Sequence, residues 1–169
     1  MCPPSSVSSK EIAPAIPSGF SQYKYAMLYA FIGFTILYFG VIEIFPQLNS
    51  IMGLPPSAAE FCPDSECYRS DLFSFELVSG VALMWCGAMG FYAWHIQKCH
   101  LQIPNTPEGR LFGYLPSAHL LTAVGTTFQV FDLFVSLLIP EQRQFLFLAH
   151  HIMAATVSWY GLNNQVRTI

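Results

Sequence analysis

Four long apolar stretches constrain the fold of this chain more than any other feature of its sequence. They cover approximately residues 25–45, 72–94, 115–139 and 145–162. A transmembrane helix needs about 20 residues to cross a ~30 Å hydrocarbon core, and each stretch falls near that length. A soluble bundle would need helices that are apolar on every face in a chain too small to bury them. The sequence therefore predicts an all-α integral membrane protein with four transmembrane helices.

Composition and length agree with this class. Of the 169 residues, 53% are hydrophobic and only 10% are charged, against the roughly 25% charge of soluble domains. The net charge of -3, with no run of basic residues, argues against nucleic-acid binding. Residues 1–20 are rich in Ser and Pro and are expected to form a flexible tail. Residues 21–169 are expected to form one transmembrane domain.

The distribution of basic residues predicts the orientation. Five of the seven lie on one side of the predicted spans and two on the other: Lys10, Lys24, Lys98, Arg110 and Arg167 against Arg69 and Arg143. Because short cytosolic loops carry the excess of Lys and Arg, both termini are expected in the cytosol. The loop between the first two spans would then face the lumen or the exterior.

That loop carries two cysteines, Cys62 and Cys67, with four residues between them. On an oxidising face of a membrane two such cysteines form a candidate disulfide. The alternative is a pair of free thiols, and the sequence leaves both open. A zinc site would need two more ligands, and the loop contains no His, so no metal site is expected there.

Three local features bear on helix ends and packing. Pro46 is expected to end the first helix, because proline removes a backbone hydrogen bond. Glu43 and Glu76 lie near span ends, where a carboxylate can stay hydrated. Small residues in the second span, among them Gly80 and Gly87, predict a face on which another helix backbone packs closely.

The third and fourth spans carry polar residues at helical spacing. In the third, Gly125, Gln129, Asp132 and Ser136 form one stripe, and in the fourth, His151, Ala154, Ala155 and Ser158 share a face beside His150. Asp132 lies nine residues before Glu141 in the connecting turn, and His150 lies nine residues after it. In an antiparallel hairpin, both therefore lie about 13 Å from the turn.

An ionisable side chain at that depth costs at least ~2.5 kcal/mol, so it usually faces a partner or a wet cavity. We therefore expect Asp132 to lie close to His150 or His151, with His151 the inward-facing member of the pair. The alternative is interhelical hydrogen bonding that only holds the bundle together. An acid, a Gln and two His at matching depth favour a functional site.

Two other chemistries fit the sequence less well. Bis-histidine haem would need His residues at one depth on different helices, whereas His95 and His119 lie near span ends. A hydrolytic triad would need a nucleophile near Asp132 and the His pair. Ser136 and Ser158 are the candidates, but no nucleophile elbow surrounds either.

Three segments of the second half of the chain resemble the TLC domain family, which includes the ceramide synthases. They are Leu-Phe-Gly-Tyr at 111–114, Gly-Thr-Thr-Phe-Gln-Val-Phe-Asp-Leu at 125–133 and Phe-Leu-Ala-His-His-Ile-Met at 147–153. The resemblance covers about residues 111–162 and implies that the four spans are part of a TLC-type helical bundle. The family's later His-Asp-x-x-Asp segment has no counterpart before Ile169, which predicts a truncated form or a short divergent member.

The resemblance implies a lipid-related function in the endoplasmic reticulum. The first expectation is a protein that binds, senses or handles membrane lipid in an intramembrane polar groove, with the lipid-binding candidates Gln129, Asp132, His150, His151 and Ser158. The alternative is an N-acyltransferase of the ceramide-synthase type, with acyl-CoA as a substrate, a sphingoid base as acceptor and no cofactor. In that case His150, His151 and Asp132 are the catalytic candidates, one His acting as base or transient acyl acceptor. A homo- or hetero-oligomer is a possible way to complete the bundle.

Overall fold

The computed structural model describes residues 19–52, 57–58, 68–101, 103, 106 and 115–164. Most of residues 1–20 and both Cys62 and Cys67 lie outside these ranges, so the expectations of a flexible tail and of a disulfide remain predictions. Four long helices make up most of the described part: α1 (Gly19–Ile51), α2 (Ser70–Phe91), α3 (Pro116–Leu138) and α4 (Phe145–Asn164). Between α1 and α2, the two-residue strands β1 (Ser57–Ala58) and β2 (Tyr68–Arg69) pair in parallel, with Ser57 opposite Tyr68.

Four described segments are long and apolar enough to cross a membrane. They are Ser21–Ile51, Ser70–His100, Pro116–Leu138 and Phe145–Asn163. Each contains one of the four predicted spans, apart from residues 115 and 139 at the edges of the third. The prediction of an all-α, multi-pass membrane bundle is therefore confirmed.

The expectation that Pro46 ends α1 is wrong, because the helix continues to Ile51. Proline removes its own N–H donor and crowds the carbonyl four residues earlier, yet the backbone N–H of Met52 again donates to the Leu48 carbonyl at 2.9 Å. Packing holds this last part of α1 in place. The ring of Phe45 stacks on Phe73 of α2, with centroids 4.4 Å apart, and Asn49 is fully buried. Contacts with α2 thus outweigh the local effect of the proline.

The second span also extends beyond its predicted end at residue 94. After α2 the helix widens into a π-helical segment, Tyr92–Gln97, and finishes in the turn Lys98–His100. The ammonium of Lys98 lies over the Trp94 ring, 4.0 Å from its centroid, and the Lys98 side chain is buried. The Gln97 Oε1 atom accepts a hydrogen bond from the backbone N–H of Ser117 at 3.0 Å. These contacts fix the end of the second span to the beginning of α3.

The apolar core lies between α1, α2 and α3. Its members come from all three helices and the residue after α3: Tyr38, Phe75, Val78, Ala82, Phe128, Phe131, Val135 and Ile139. Aromatic rings meet edge to face, as between Phe34 and Phe128 at 5.6 Å, an arrangement that adds to the burial energy of each ring. The phenylalanines of α3 thus point away from α4. This rotation turns the polar stripe of α3 toward α4.

The described helices use the predicted packing face of the second span only in part. Ala82 lies in the core, and a Cβ on Gly90 would lie 3.9 Å from Leu121, but Gly80 and Gly87 meet no other described helix. Among the described residues, no atom comes within 4 Å of the position that a Cβ would occupy on Gly80 or Gly87, apart from their own helix backbone. The buried face of α2 instead contains larger side chains, including Phe75 and Val78. Phe75 and Val78 fill the core, so Gly80 and Gly87 are left on the outside.

An ionic cluster joins α2 to the turn between α3 and α4, at the end of the bundle that we call the hairpin end. The guanidinium of Arg69 donates to both carboxylate oxygens of Asp71 and to the Glu141 carboxylate. These bonds, first that with Asp71, raise the pKa of Arg69. The pKa of Glu141 is lowered by its own backbone N–H and by Arg69. Arg143 closes α3 by donating to the Leu137 carbonyl at 2.7 Å.

Candidate functional site

The candidate site lies between α3 and α4, which form an antiparallel hairpin around the short 3-10 turn Pro140–Gln142. Pro140 sits at the first position of this turn, where its fixed φ is compatible and its missing N–H costs nothing. The turn brings the polar stripe of α3 opposite the small and polar face of α4. Ala154, Ala155 and Ser158 of that face are half-buried, whereas Ile152 and Met153 beside them are exposed.

Asp132, Gln129 and His151 form the centre of the site. His151 Nδ1 lies 2.9 Å from Gln129 Oε1 and 3.2 Å from Asp132 Oδ2. Asp132 is 5% exposed and His151 is 6% exposed, so both side chains are enclosed by the bundle. The expected approach of Asp132 to one of the two His residues is confirmed, and so is the inward orientation of His151.

These distances determine how His151 uses its two ring nitrogens. Both atoms that face Nδ1 are oxygens that accept hydrogen bonds, so Nδ1 carries the hydrogen. A neutral imidazole has one donor and one acceptor nitrogen. In the neutral ring Nε2 is therefore the acceptor, with its lone pair directed away from Asp132. A carboxylate that fixes the tautomer in this way leaves the other nitrogen able to bind a donor or to take up a proton.

Three buried polar atoms in and beside this cluster have no hydrogen-bond partner among the described residues: Asp132 Oδ1, His151 Nε2 and Ser136 Oγ. Ser136, one turn after Asp132 on the same stripe, is fully buried. By contrast, the hydroxyls of Thr122, Thr126 and Thr127 on α3 each donate to the carbonyl four residues earlier. A buried polar atom without a partner costs about 1–3 kcal/mol, so such atoms usually mark a site for a water or a ligand.

His150 does not join this cluster. Its side chain is exposed, and its ring centroid lies 5.4 Å from that of His151. The His150 side chain lines an open groove of about 440 Å³ on the outside of α4. The other residues that line this groove are Gln144, Leu146, Phe147, Ala149 and Met153. We call this the α4 groove. His151 therefore belongs to the buried site between α3 and α4, and His150 belongs to the α4 groove on the outside of the bundle.

Phe147 contacts both the buried site and the α4 groove. It lines the α4 groove, and its ring meets the His151 ring edge to face at a centroid distance of 4.7 Å. Sequence reasoning assigned no role to Phe147, although the spacing of four residues between Phe147 and His151 places both on one side of a helix. Ser158 lies two turns beyond His151, about 10 Å along α4, so it lines the same face at a different depth.

The remaining ionisable residues contribute little to this site. Glu43 and Glu76 are exposed on the outside of the bundle, and Cys86 is a half-buried free thiol. No group of three or more His, Cys, Asp or Glu side chains that could hold a metal ion occurs in the described part of the chain. The site between α3 and α4 contains the carboxylate of Asp132, the imidazole of His151, the amide of Gln129 and the hydroxyl of Ser136.

Comparison with known proteins adds no assignment to this geometry. No family model matches the chain, and neither a curated protein nor a solved structure matches it. The resemblance to the TLC domain family therefore remains a prediction from the residues at 111–114, 125–133 and 147–153.

Proposed function

We propose that this chain is a TLC-like membrane protein that binds and handles a lipid through the polar site between α3 and α4. One observation carries the proposal: Asp132 and His151 are in direct contact, and Asp132 Oδ1 and His151 Nε2 are both buried with no hydrogen-bond partner among the described residues. A buried acceptor without a partner is costly, so each of these atoms is a candidate to bind a donor from a ligand. If α3 and α4 were held only by interhelical hydrogen bonds, these atoms would be expected to be paired.

The position of the site favours a lipid over a water-soluble ligand. The pair lies within two segments that are long and apolar enough to span a membrane, about 13 Å from the turn by helical rise. The α4 groove opens beside it on an outer surface where Leu146, Met153 and Val157 are exposed. A ligand that reaches the pair from this side arrives from the hydrocarbon phase. We further propose the endoplasmic reticulum as its location, with cytosolic termini, from the TLC resemblance and the basic-residue asymmetry.

A photoactivatable, clickable fatty acid that cells incorporate into all their lipids tests lipid binding without assuming a lipid class. Cross-linked lipid is expected on peptides of α3 and α4. Asp132→Asn and His151→Asn should each reduce that cross-linking, while the matched variants Glu76→Gln and His95→Asn should leave it unchanged. Equal cross-linking in all five proteins, wild type included, would contradict the proposal.

A second candidate is the N-acyltransferase activity, and the fixed tautomer of His151 favours it. With Nδ1–H held by Gln129 and Asp132, Nε2 can accept the proton that an amine releases as its nitrogen attacks the thioester carbonyl of acyl-CoA. The carbon–nitrogen bond forms, the carbon–sulfur bond breaks, and the coenzyme A thiolate leaves with that proton. In this geometry His151 is the base. His150, outside the site, is not.

This candidate is tested with purified protein in vesicles that contain an acyl-CoA and a long-chain amine. If the activity exists, mass spectrometry should detect the amide, His151→Asn should abolish its formation, and His150→Asn should retain most of it. If wild type and His151→Asn give the same amount of amide, the second candidate is rejected, whereas lipid binding is judged by the cross-linking experiment.

A further inference from the structure

We infer that the lipid is uncharged and has a free hydroxyl group, that its chain lies in the α4 groove, and that its hydroxyl donates to the Asp132–His151 pair past Phe147. This inference rests on the proposed function and adds the chemical class of the ligand and its route. It is carried by three features: the hydrogen-bonding character of the unpartnered atoms, the charges around them, and the position of Phe147 between groove and site.

The unpartnered atoms call for a ligand that donates hydrogen bonds. Asp132 Oδ1 is a carboxylate oxygen, and His151 Nε2 is the acceptor nitrogen of the neutral ring, because Nδ1–H already faces two oxygens. Ser136 Oγ can donate or accept. A ligand that offers only acceptors, such as an ester or an ether, leaves both of these atoms unpaired. A hydroxyl donates to one of them and can accept from Ser136.

The surrounding charges oppose an anionic headgroup. A phosphate or a free fatty-acid carboxylate would meet the Asp132 carboxylate at short range. The arginines described at the hairpin end are engaged elsewhere, Arg69 with Asp71 and Glu141, and Arg143 with the Leu137 carbonyl. Lys98 lies over Trp94 at the opposite end of the bundle. A charged amine would have to lose its hydration at membrane depth, whereas an uncharged hydroxyl costs much less to desolvate.

The α4 groove supplies a place for the chain. Its volume of about 440 Å³ lies in the range of 300–1,000 Å³ found for small-molecule sites. Leu146, Phe147, Ala149 and Met153 make most of its lining apolar. The Phe147 ring lines this groove and also lies against the His151 ring. His150, another lining residue, has its ring centroid 5.4 Å from that of His151. In this proposal, a rotation of Phe147 about its side-chain bonds opens the route from the groove to the buried acceptors.

The test uses four matched photoactivatable, clickable lipids in phosphatidylcholine vesicles with the full chain. They share their acyl chains and differ at one position, which carries a hydroxyl (a diacylglycerol), a methoxy group, a phosphate or an amine. We expect the diacylglycerol to label the peptide 145–153 about tenfold more than the methyl ether and the phosphatidic acid, the size of one hydrogen bond to a charged group. Asp132→Asn should remove most of this preference.

A separate experiment tests whether Phe147 controls the route from the α4 groove to the buried site. Phe147→Ala should speed labelling by the diacylglycerol severalfold, and Phe147→Trp should slow it, while Phe145→Ala, at a fully outward position, should not change it. Thermal unfolding in detergent checks that each variant is folded, and Phe147→Trp remains informative if the alanine variant unfolds.

The outcomes separate this inference from the function on which it rests. Equal labelling by all four lipids that still depends on Asp132 and His151 overturns the hydroxyl class and leaves lipid binding standing. Preferential labelling by the phosphate or the amine lipid also overturns the hydroxyl class. Labelling that is indifferent to Asp132 and His151 overturns both proposals. The inference is supported if the diacylglycerol labels the protein and this labelling is lost when its hydroxyl is replaced by a methoxy group.

Discussion

Asp132 Oδ2 lies 3.2 Å from His151 Nδ1, across two consecutive membrane-spanning helices. The second oxygen of this carboxylate and the second nitrogen of this ring are both buried and unpartnered among the described residues. The pair is therefore half satisfied, which distinguishes it from a hydrogen bond that only holds two helices together.

The Asp132–His151 pair should show a measurable coupling energy. A double-mutant cycle of Asp132→Asn and His151→Asn, followed by unfolding in mixed detergent, is expected to give at least about 0.6 kcal/mol, the mean for polar pairs between membrane helices, and at most about 1.7 kcal/mol. The same cycle with Asp132→Asn and His150→Asn serves as the control and should give a coupling near zero, because His150 lies outside the bundle. Coupling to His150 and none to His151 would contradict the assignment of the inward residue.

Ser136 should matter for lipid binding and not for stability. Its hydroxyl is fully buried and has no partner in the described part of the chain, so Ser136→Ala removes an unsatisfied group and should leave the lipid-free protein equally stable or slightly more stable. Labelling by the diacylglycerol should fall. If Ser136→Ala clearly destabilises the lipid-free protein, its hydroxyl has a structural partner and is not a ligand contact.

The hairpin end should weaken in acid. The folded state holds the pKa of Glu141 below its ordinary value of 4.5, so its contribution is present above that value and is lost as the pH falls through the lower folded pKa. The raised pKa of Arg69 causes no change of stability in this pH range, because Arg69 is protonated in both the folded and the unfolded state at acidic and neutral pH. Below about pH 4.5, the thermal unfolding midpoint of wild type should therefore fall more steeply than that of Glu141→Gln. Glu43→Gln is the control and should follow the wild-type curve. A Glu141→Gln curve parallel to that of wild type would contradict this role of the ionic cluster.

Orientation is tested by glycosylation. By the positive-inside rule an acceptor site inserted near Glu60 should be modified in microsomes, and one near Asn105 should not. Modification near Asn105 alone would reverse the proposed topology, and with it the side of the membrane from which the hairpin end is reached.

The depth of the site could be predicted from sequence because it depends only on counting. Asp132 and His150 are equally far from Glu141, and a helix rises by a constant amount per residue. The choice of His151 as the inward residue followed from Ala154, Ala155 and Ser158 on its face, since small residues allow close helix approach. Both quantities are local properties of one hairpin.

Two features could not be predicted, because they depend on contacts between distant segments. The helix passes Pro46 because the Phe45 ring stacks on Phe73. Gly80 and Gly87 face outward because larger residues of α2 take the core positions. Neither feature has a signature within a single window of sequence. The contact of Phe147 with His151, by contrast, joins residues four apart on one helix and could have been found from their spacing.

The most direct measurement is ¹⁵N NMR of histidine-labelled protein in vesicles, with His151→Asn used to assign the His151 signals. Two results are expected: a protonated Nδ1 in hydrogen-bond contact with a carboxylate, and an Nε2 signal that moves when diacylglycerol is added but not when its methyl ether is added. In Asp132→Asn the carboxylate contact should disappear and the response of Nε2 to diacylglycerol should shrink. An unprotonated Nδ1, or an Nε2 signal that ignores every lipid added, would contradict a ligand site built on Asp132 and His151.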